Sequence, residues 1–227
     1  MSLKVIGAGL PRTGTKSLCM ALEELTGELC HHMAAVISAP PQVSTWRRAV
    51  AGQPPSWREF LAGYGAVTDW PASAFWRELS EEYPDALVVL STRSSPEQWW
   101  QSFHGVIQGI EAGFHPHTRQ SWNRLFTEMR KTRWSHQFAE VMRPVLLGKE
   151  PGSLNEIRGM ISDLQAKYLT PETSDPESMQ AAYEHHNEEV RRTISPDRLV
   201  EWSPEDGWDP LCEALGVKNP GKEFPHN

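Results

Sequence analysis

The chain has 227 residues, long enough for one α/β domain with a helical insertion. Its 22 Lys+Arg against 29 Asp+Glu give a formal net charge of −7, too acidic for a general nucleic-acid or anionic-membrane binder, though not for a local basic pocket. No uninterrupted apolar run approaches the ~18 residues of a membrane span, and the N-terminus enters a strand at once, so a cytoplasmic protein without a signal peptide is expected.

In chain order, LKVIGAGL (3–10) reads as a β-rich first strand ending in glycine, and residues 15–26 as a helix with Leu18, Ala21, Leu22 and Leu25 on one stripe. ELCHHM (28–33) fits either a strand or a loop. Helices are expected near 41–51, between SAPPQ and GQPP, and over 57–64. YGAVTDW (64–70) reads as a strand stopped at Pro71, and 72–83 as a helix ended by Pro84. ALVVLSTR (86–93) is an unbroken apolar run of the kind found in a parallel sheet covered on both faces. Ser95-Pro96-Glu97 opens a helix with proline in its first turn. The middle, about 118–168, reads as helical with a break at GKEPGS (148–153). A capped helix follows at 176–194, then a last strand RLVEWS (198–203) and a short helix in DGWDPLCEALG. Together these predict a single α/β domain, a parallel central sheet flanked by helices in three layers, with a helical insertion or lid at about 104–170. Most of the ten tryptophans are expected in the core. Cys19, Cys30 and Cys212 have neither metal-type spacing nor an even framework, and read as reduced thiols.

The stretch GAGLPRTGTKSL (7–18) carries the chemistry. A strand, a glycine-rich turn and a helix is a phosphate-holding arrangement. In a Walker A loop, lysine directly follows the second glycine. Here Thr15 stands there and Lys16 comes one residue late, turned by about 100° on a helix. The loop's own cation is Arg12. Thr13, Thr15 and Ser17 add hydroxyls, and the amides from Gly14 to Ser17 point along the helix dipole. The strand ALVVLSTR ends in Arg93 rather than in a magnesium-binding Asp, which suits an anion held without metal.

The segment GLPRTGT, with LSTRSSPEQWWQSF (90–103) some 80 residues on, resembles the two signatures of the sulfotransferase family. The C-terminal pattern AYEHHNEEVRR…PDRLVEW…DGWDPLCEALG…FPHN is similar to that of a bacterial-type branch of about this length, so the resemblance spans nearly the whole chain. It implies a P-loop-like fold and a sulfuryl donor, 3′-phosphoadenosine-5′-phosphosulfate (PAPS), bound without metal. It also implies that Arg12, Thr13, Gly14, Thr15, Lys16 and Ser17 hold the 5′-phosphosulfate and that Arg93 and Ser102 hold the 3′-phosphate. The acceptor would be a hydroxyl or amine of a small molecule or carbohydrate. Cytosolic members carry lysine where this chain has Arg12, and arginine does not readily give up a proton.

Transfer to a hydroxyl gains from a general base. His32, just past the first helix, has a suitable pKa, with His31 as its competitor. Asp69 ends a strand, where open α/β sheets face their ligands; it would be the base, orient His32, or cap the next helix. His186 lies on an apolar helical stripe with Met179, Tyr183 and Val190 and reads as a hydrogen-bonded core residue. His115 and His117 lack a third metal ligand, and RLFTEMRKTRW (124–134) reads as an insertion helix over the pocket. Two other functions fit the loop: a P-loop kinase or nucleotide hydrolase using ATP and Mg²⁺ with Asp69 as metal ligand, and a non-catalytic anion- or nucleotide-binding protein.

Overall fold

A computed structural model describes residues 2–111 and 151–225. The core of the expected insertion, with His115, His117 and 124–134, lies outside the described residues. Five strands, β1 (Val5–Gly7), β2 (Leu29–His31), β3 (Tyr64–Val67), β4 (Leu87–Ser91) and β5 (Leu199–Trp202), form one sheet in the order β2-β3-β1-β4-β5. Every pairing is parallel, with Val5 opposite both Ala66 and Leu87. β1 is central and fully buried, as its apolar sequence requires.

Alternation along the strands divides the core. Val5, Ala66 and Val89 face α1 (Thr15–Thr26) and the C-terminal helix Asp209–Leu215, in a cluster with Leu18, Leu22, Trp202 and Trp208. Ile6, Val67, Val88 and Leu90 face the other layer, which is larger and rich in aromatic side chains. To it belong α2 (Met33–Ser38), α3 (Pro40–Val50), the single turn α4 (Trp57–Phe60), α5 (Trp76–Glu82), α6 (Pro96–Glu111), α7 (Pro151–Tyr168) and α8 (Pro176–Thr193). A helix, Asp209–Leu215, completes the chain as α9. This is the three-layer parallel α/β arrangement that the strand–helix alternation predicts, and all eight tryptophans among the described residues are buried.

Several elements are shorter than their patterns suggest. WREFLAGY yields only one helical turn, because Gly63 turns the chain at φ 95° and Tyr64 is already strand. YGAVTDW stops pairing at Val67, because Asp69 adopts φ 65°. The ambiguous ELCHHM resolves into β2 followed by His32, which caps α2. The helix α7 starts at Pro151, inside the expected break.

The turn after β1 crosses β4 at van der Waals contact. A Cβ on Gly9 would fall 2.0 Å from Ser91 Oγ and 2.5 Å from the Ser91 carbonyl oxygen. Backbone cannot yield cheaply there, so Gly9→Ala should lose about 2–3 kcal/mol in denaturant unfolding. Gly105→Ala, on α6 with nothing near its Cβ, should instead gain about 0.5–1 kcal/mol. Equal stabilities for the two variants would refute the close approach.

Candidate active site

The loop between β1 and α1 is held by its carbonyls. His186 Nε2 donates to Ala8 O (2.8 Å), Thr13 Oγ1 to Leu10 O (2.7 Å), Trp99 Nε1 to Pro11 O (2.8 Å) and Arg93 Nε to Arg12 O (2.6 Å). Thr13 has one hydroxyl proton and gives it to Leu10, so Ser91 donates to Thr13 across 2.6 Å. In a planar trans peptide the C=O and the next N–H point in opposite directions. Fixing the carbonyls of Pro11 and Arg12 on α6 and on the segment after β4 therefore turns the amides of Arg12 and Thr13 away from those elements.

At the end of the loop, Gly14 adopts φ 83° and starts α1, with Leu18 N–H donating to its carbonyl (3.0 Å). The first amides of an α-helix have no acceptor within the helix. Gly14 has no side chain to cap them, and the first turn carries no acid. The positive end of the helix dipole is thus open toward a cleft of about 240 Å³ that Gly14, Thr15, Lys16 and Ser17 line. Gly14 is also required by space, since a Cβ would sit 2.4 Å from Pro204 Cγ.

Arg12, Lys16 and Arg93 bring three cations to this cleft. Arg12, in the left-handed region at φ 75°, donates from Nε to Ser102 Oγ of α6 at 3.1 Å. Two residues expected to serve opposite ends of one ligand are thus in contact. The Arg93 amide donates to Tyr183 Oη at 2.9 Å, which fixes the segment leaving β4 against α8. Burial lowers the Arg12 pKa, with Asp69 opposing and the Arg93 charge reinforcing the shift. Burial also lowers the pKa of Lys16. Thr13 is fully buried, and its hydroxyl serves the loop's own geometry.

His32 and Asp69 lie on the same cleft. His32 Nδ1 accepts the Ala34 amide (3.3 Å) as the cap of α2. That bond occupies the Nδ1 lone pair and assigns the ring proton to Nε2. Nε2 approaches Asp69 Oδ2 to 3.2 Å without the alignment of a hydrogen bond. Burial lowers the His32 pKa, Asp69 raises it and Lys16 lowers it further. Neutral His32 therefore has no vacant nitrogen with which to take a proton, whereas Asp69 is a carboxylate on the cleft wall. His31 is different: it is 1% exposed, packed among Trp46 and Tyr64, and its Nε2 is 3.0 Å from Gln42 Oε1. Burial pushes its pKa from 6.5 down to about 4.

The cleft residues that sequence reasoning did not single out are mostly apolar: Met33, Trp70, Phe103, Val106, Ile107 and Ile161. Two of them follow a candidate base directly in the chain, a signal available in His32-Met33 and Asp69-Trp70. Tyr183 and Trp99, which brace the site, lie too far along the chain for local pattern to pair them with the loop. Among the described residues, no group of three His, Cys, Asp or Glu side chains is arranged to hold a metal ion.

Three histidines have lowered pKa values, the buried His31 and His186 and the partly buried His32, each mainly through desolvation. The unfolded chain then binds more protons than the folded one between about pH 6.5 and pH 4, so stability is present above that window and is lost as pH falls through it. His31, moving from 6.5 to about 4, accounts for on the order of 3 kcal/mol of that loss. Denaturant midpoints at pH 7 and pH 4.5 should fall less steeply in His31→Gln than in the parent; parallel slopes would contradict the burial of a neutral imidazole.

Over residues 4–227 the sequence matches the family described as "Sulfotransferase domain". It is also 32% identical over 235 residues to the "Ava biosynthesis cluster protein M" of Aspergillus versicolor, covering 99% of this chain and 80% of that protein. With a parallel sheet, a loop braced to present a helix N-terminus, and a family match from the first strand to the C-terminus, this chain belongs to the sulfotransferase-domain family.

Proposed function

We propose that the chain is a PAPS-dependent sulfotransferase acting on a small-molecule acceptor, without a metal. The observation that carries this reading is the grouping of an uncapped helix N-terminus with Arg12, Lys16 and Arg93 around one cleft, with a single carboxylate, Asp69, and a neutral His32 on its wall. PAPS supplies the sulfuryl group and a good leaving phosphate. The amides from Gly14 to Ser17, with Thr15, Ser17 and Arg12, hold the 5′-phosphosulfate and stabilise charge growing on the leaving oxygen. Arg93 and Ser102 hold the 3′-phosphate and fix the distance from loop to helix. Asp69 takes the acceptor's proton, and His32, locked by the Ala34 amide, positions Asp69 rather than acting as the base.

A kinase or nucleotide hydrolase would need Asp69 for Mg²⁺. That carboxylate faces the His32 imidazole and the Arg12 charge, and the segment just past β4, on the other side of β1, supplies Arg93 rather than an acid. Binding without turnover would leave the non-catalytic reading.

Thermal shift with adenosine 3′,5′-bisphosphate, with ATP and with ATP plus Mg²⁺ separates these readings. At 100 times its dissociation constant a ligand adds about 2.7 kcal/mol of stability. The bisphosphate should stabilise without metal, and Arg93→Ala should remove most of its advantage over AMP. A response to ATP plus Mg²⁺ alone would sink the proposal. In turnover, Asp69→Asn should cost about 100-fold or more with bisphosphate affinity unchanged, and His32→Gln less; the opposite order would make His32 the base.

A further inference from the structure

The side chains that brace the loop from other elements belong to the larger core, but Gly14, which starts α1, leans the other way. A Cβ there would sit 2.4 Å from Pro204 Cγ and 3.5 Å from Trp202 Cζ3, so the exit of β5 is the surface against which the helix start is pressed. Pro204 belongs to a single turn, Pro204–Asp206, that is held from within: Asp206 Oδ2 accepts from the Ser203 amide (2.6 Å) and from its hydroxyl (2.8 Å). The carbonyl of Trp202 accepts the Thr92 amide (2.9 Å), and its indole N–H donates to Gly207 O (3.0 Å). Beyond α9 the chain doubles back over this surface. Asn219 Nδ2 donates to Asp209 Oδ1 (2.7 Å), Trp208 Nε1 donates to Lys222 O (2.8 Å), and Lys222 Nζ meets Glu24 Oε1 of α1 at 2.9 Å. These contacts deliver the buried Phe224 onto Trp202 and Trp208, with ring centroids 5.6 and 4.9 Å away. Resting on the sulfotransferase reading, we propose that Phe224 is a positioning residue for the donor site: through Trp202 and Pro204 it sets the angle at which Gly14 launches α1, and so where the amides of residues 14–17 meet the 5′-phosphate end of the ligand.

Phe224 has this leverage for physical reasons. The sheet fixes the Trp202 backbone whether or not Phe224 is present, so what the returning segment adds is packing on the indole and, through it, on the turn beside Gly14. The ion pair of Lys222 with Glu24 is half exposed on both sides and contributes little by itself. The buried aromatic ring carries the weight of the segment. Contact at Gly14 and at Glu24 also places the same stretch of chain, with the β5 exit it covers, at both ends of α1, which fixes the tilt of that helix. Hydrogen bonds weaken steeply as the donor turns off line, so a small change of tilt at the helix start is felt by an anion that its amides hold. The other end of the ligand is insulated from this effect. Ser102 is tied to Arg12 and the Arg93 amide to Tyr183, on α6 and α8 of the larger core, whereas Phe224 packs in the smaller one. Loosening Phe224 is therefore expected to be read at one phosphate and not at the other.

The experiment measures by calorimetry the affinities of adenosine 3′,5′-bisphosphate and of adenosine 3′-monophosphate, which lacks the 5′-phosphate, for the parent, Phe224→Ala, Phe224→Leu and Pro204→Ala. Pro204→Ala removes the ring carbon nearest Gly14 at a partly exposed position and keeps the cap made by Ser203 and Asp206. Phe224→Ala and Pro204→Ala should each cut the preference for the bisphosphate over the monophosphate by about tenfold, the worth of one hydrogen bond to a charged group. Phe224→Leu, which keeps apolar bulk, should cut it by a smaller factor. Affinity for the monophosphate should stay at the parent value. A general loosening of the fold would weaken both ligands alike and leave the preference where it was. That result in any of the three variants that folds overturns the proposal, while the sulfotransferase reading stands on the parent's own affinity for the bisphosphate. If the parent does not bind the bisphosphate, the sulfotransferase reading fails and takes the inference with it.

Discussion

The site depends on the capture of the loop's carbonyl oxygens by side chains of other elements. An unrestrained turn after β1 has no reason to order its peptides alike. Here Trp99 and Arg93 claim successive carbonyls, His186 a third and the loop's own Thr13 a fourth. A neutral hydrogen bond nets about 0.5–1.5 kcal/mol, and one to a charged group more. Together they exceed the roughly 1–2 kcal/mol that a non-glycine residue such as Arg12 gives up in the left-handed region. Apart from Thr13, the donors come from α6, α8 and the segment just after β4, so the packing of the larger core sets the loop's shape.

Arg12 and Asp69 are the two non-glycine residues described with positive φ, and both line the cleft. Backbone strain of this kind persists where surrounding structure over-determines it and gathers at functional sites. The two are coupled in charge as well, since Asp69 raises the Arg12 pKa against the lowering effect of burial. On the side of Asp69 the His32 ring is clamped by a backbone amide, and on the side of Arg12 the guanidinium is tied to Ser102. Two strained residues, each braced from behind, thus face a common space. Under the proposed function, that is the preorganisation required of a leaving-group stabiliser and a base.

Much of this was legible in the sequence because the decisive signals are local. ALVVLSTR is a buried strand by composition alone, with Arg93 two residues past its observed end at Ser91; GLPRTGTK needs glycine at position 14 and places Arg12 and Lys16 beside it. Those features locate the sheet, the loop and the cations. The bracing was not legible, because its partners are distant: Trp99 and His186 reach Pro11 and Ala8 across 88 and 178 residues. The apolar stripe around His186 did mark it as a bonded core residue, although no pattern named Ala8 as its partner. Nor could spacing divide the work between His32 and Asp69. That division rests on one backbone amide, Ala34 N–H, whose position follows from α2 starting at Met33 directly after β2. Local pattern also overstated element lengths where a positive φ, at Gly63 and at Asp69, ends an element that composition would have continued.

A cationic cleft in a chain of formal charge −7 carries its own electrostatic logic. At physiological ionic strength the screening length is about 8 Å, so exposed charges farther than that from the cleft are largely screened. Among the described residues, the charges that line the cleft are three cations against Asp69, together with the α1 dipole. Partial burial strengthens that set by lowering the effective dielectric, and its cost shows in the lowered pKa of Arg12 and Lys16. Cations kept close under such strain are destabilising on their own and are relieved by an anion. Under the proposed function, affinity for a phosphate ligand and the mutual repulsion of these cations are therefore two sides of one arrangement.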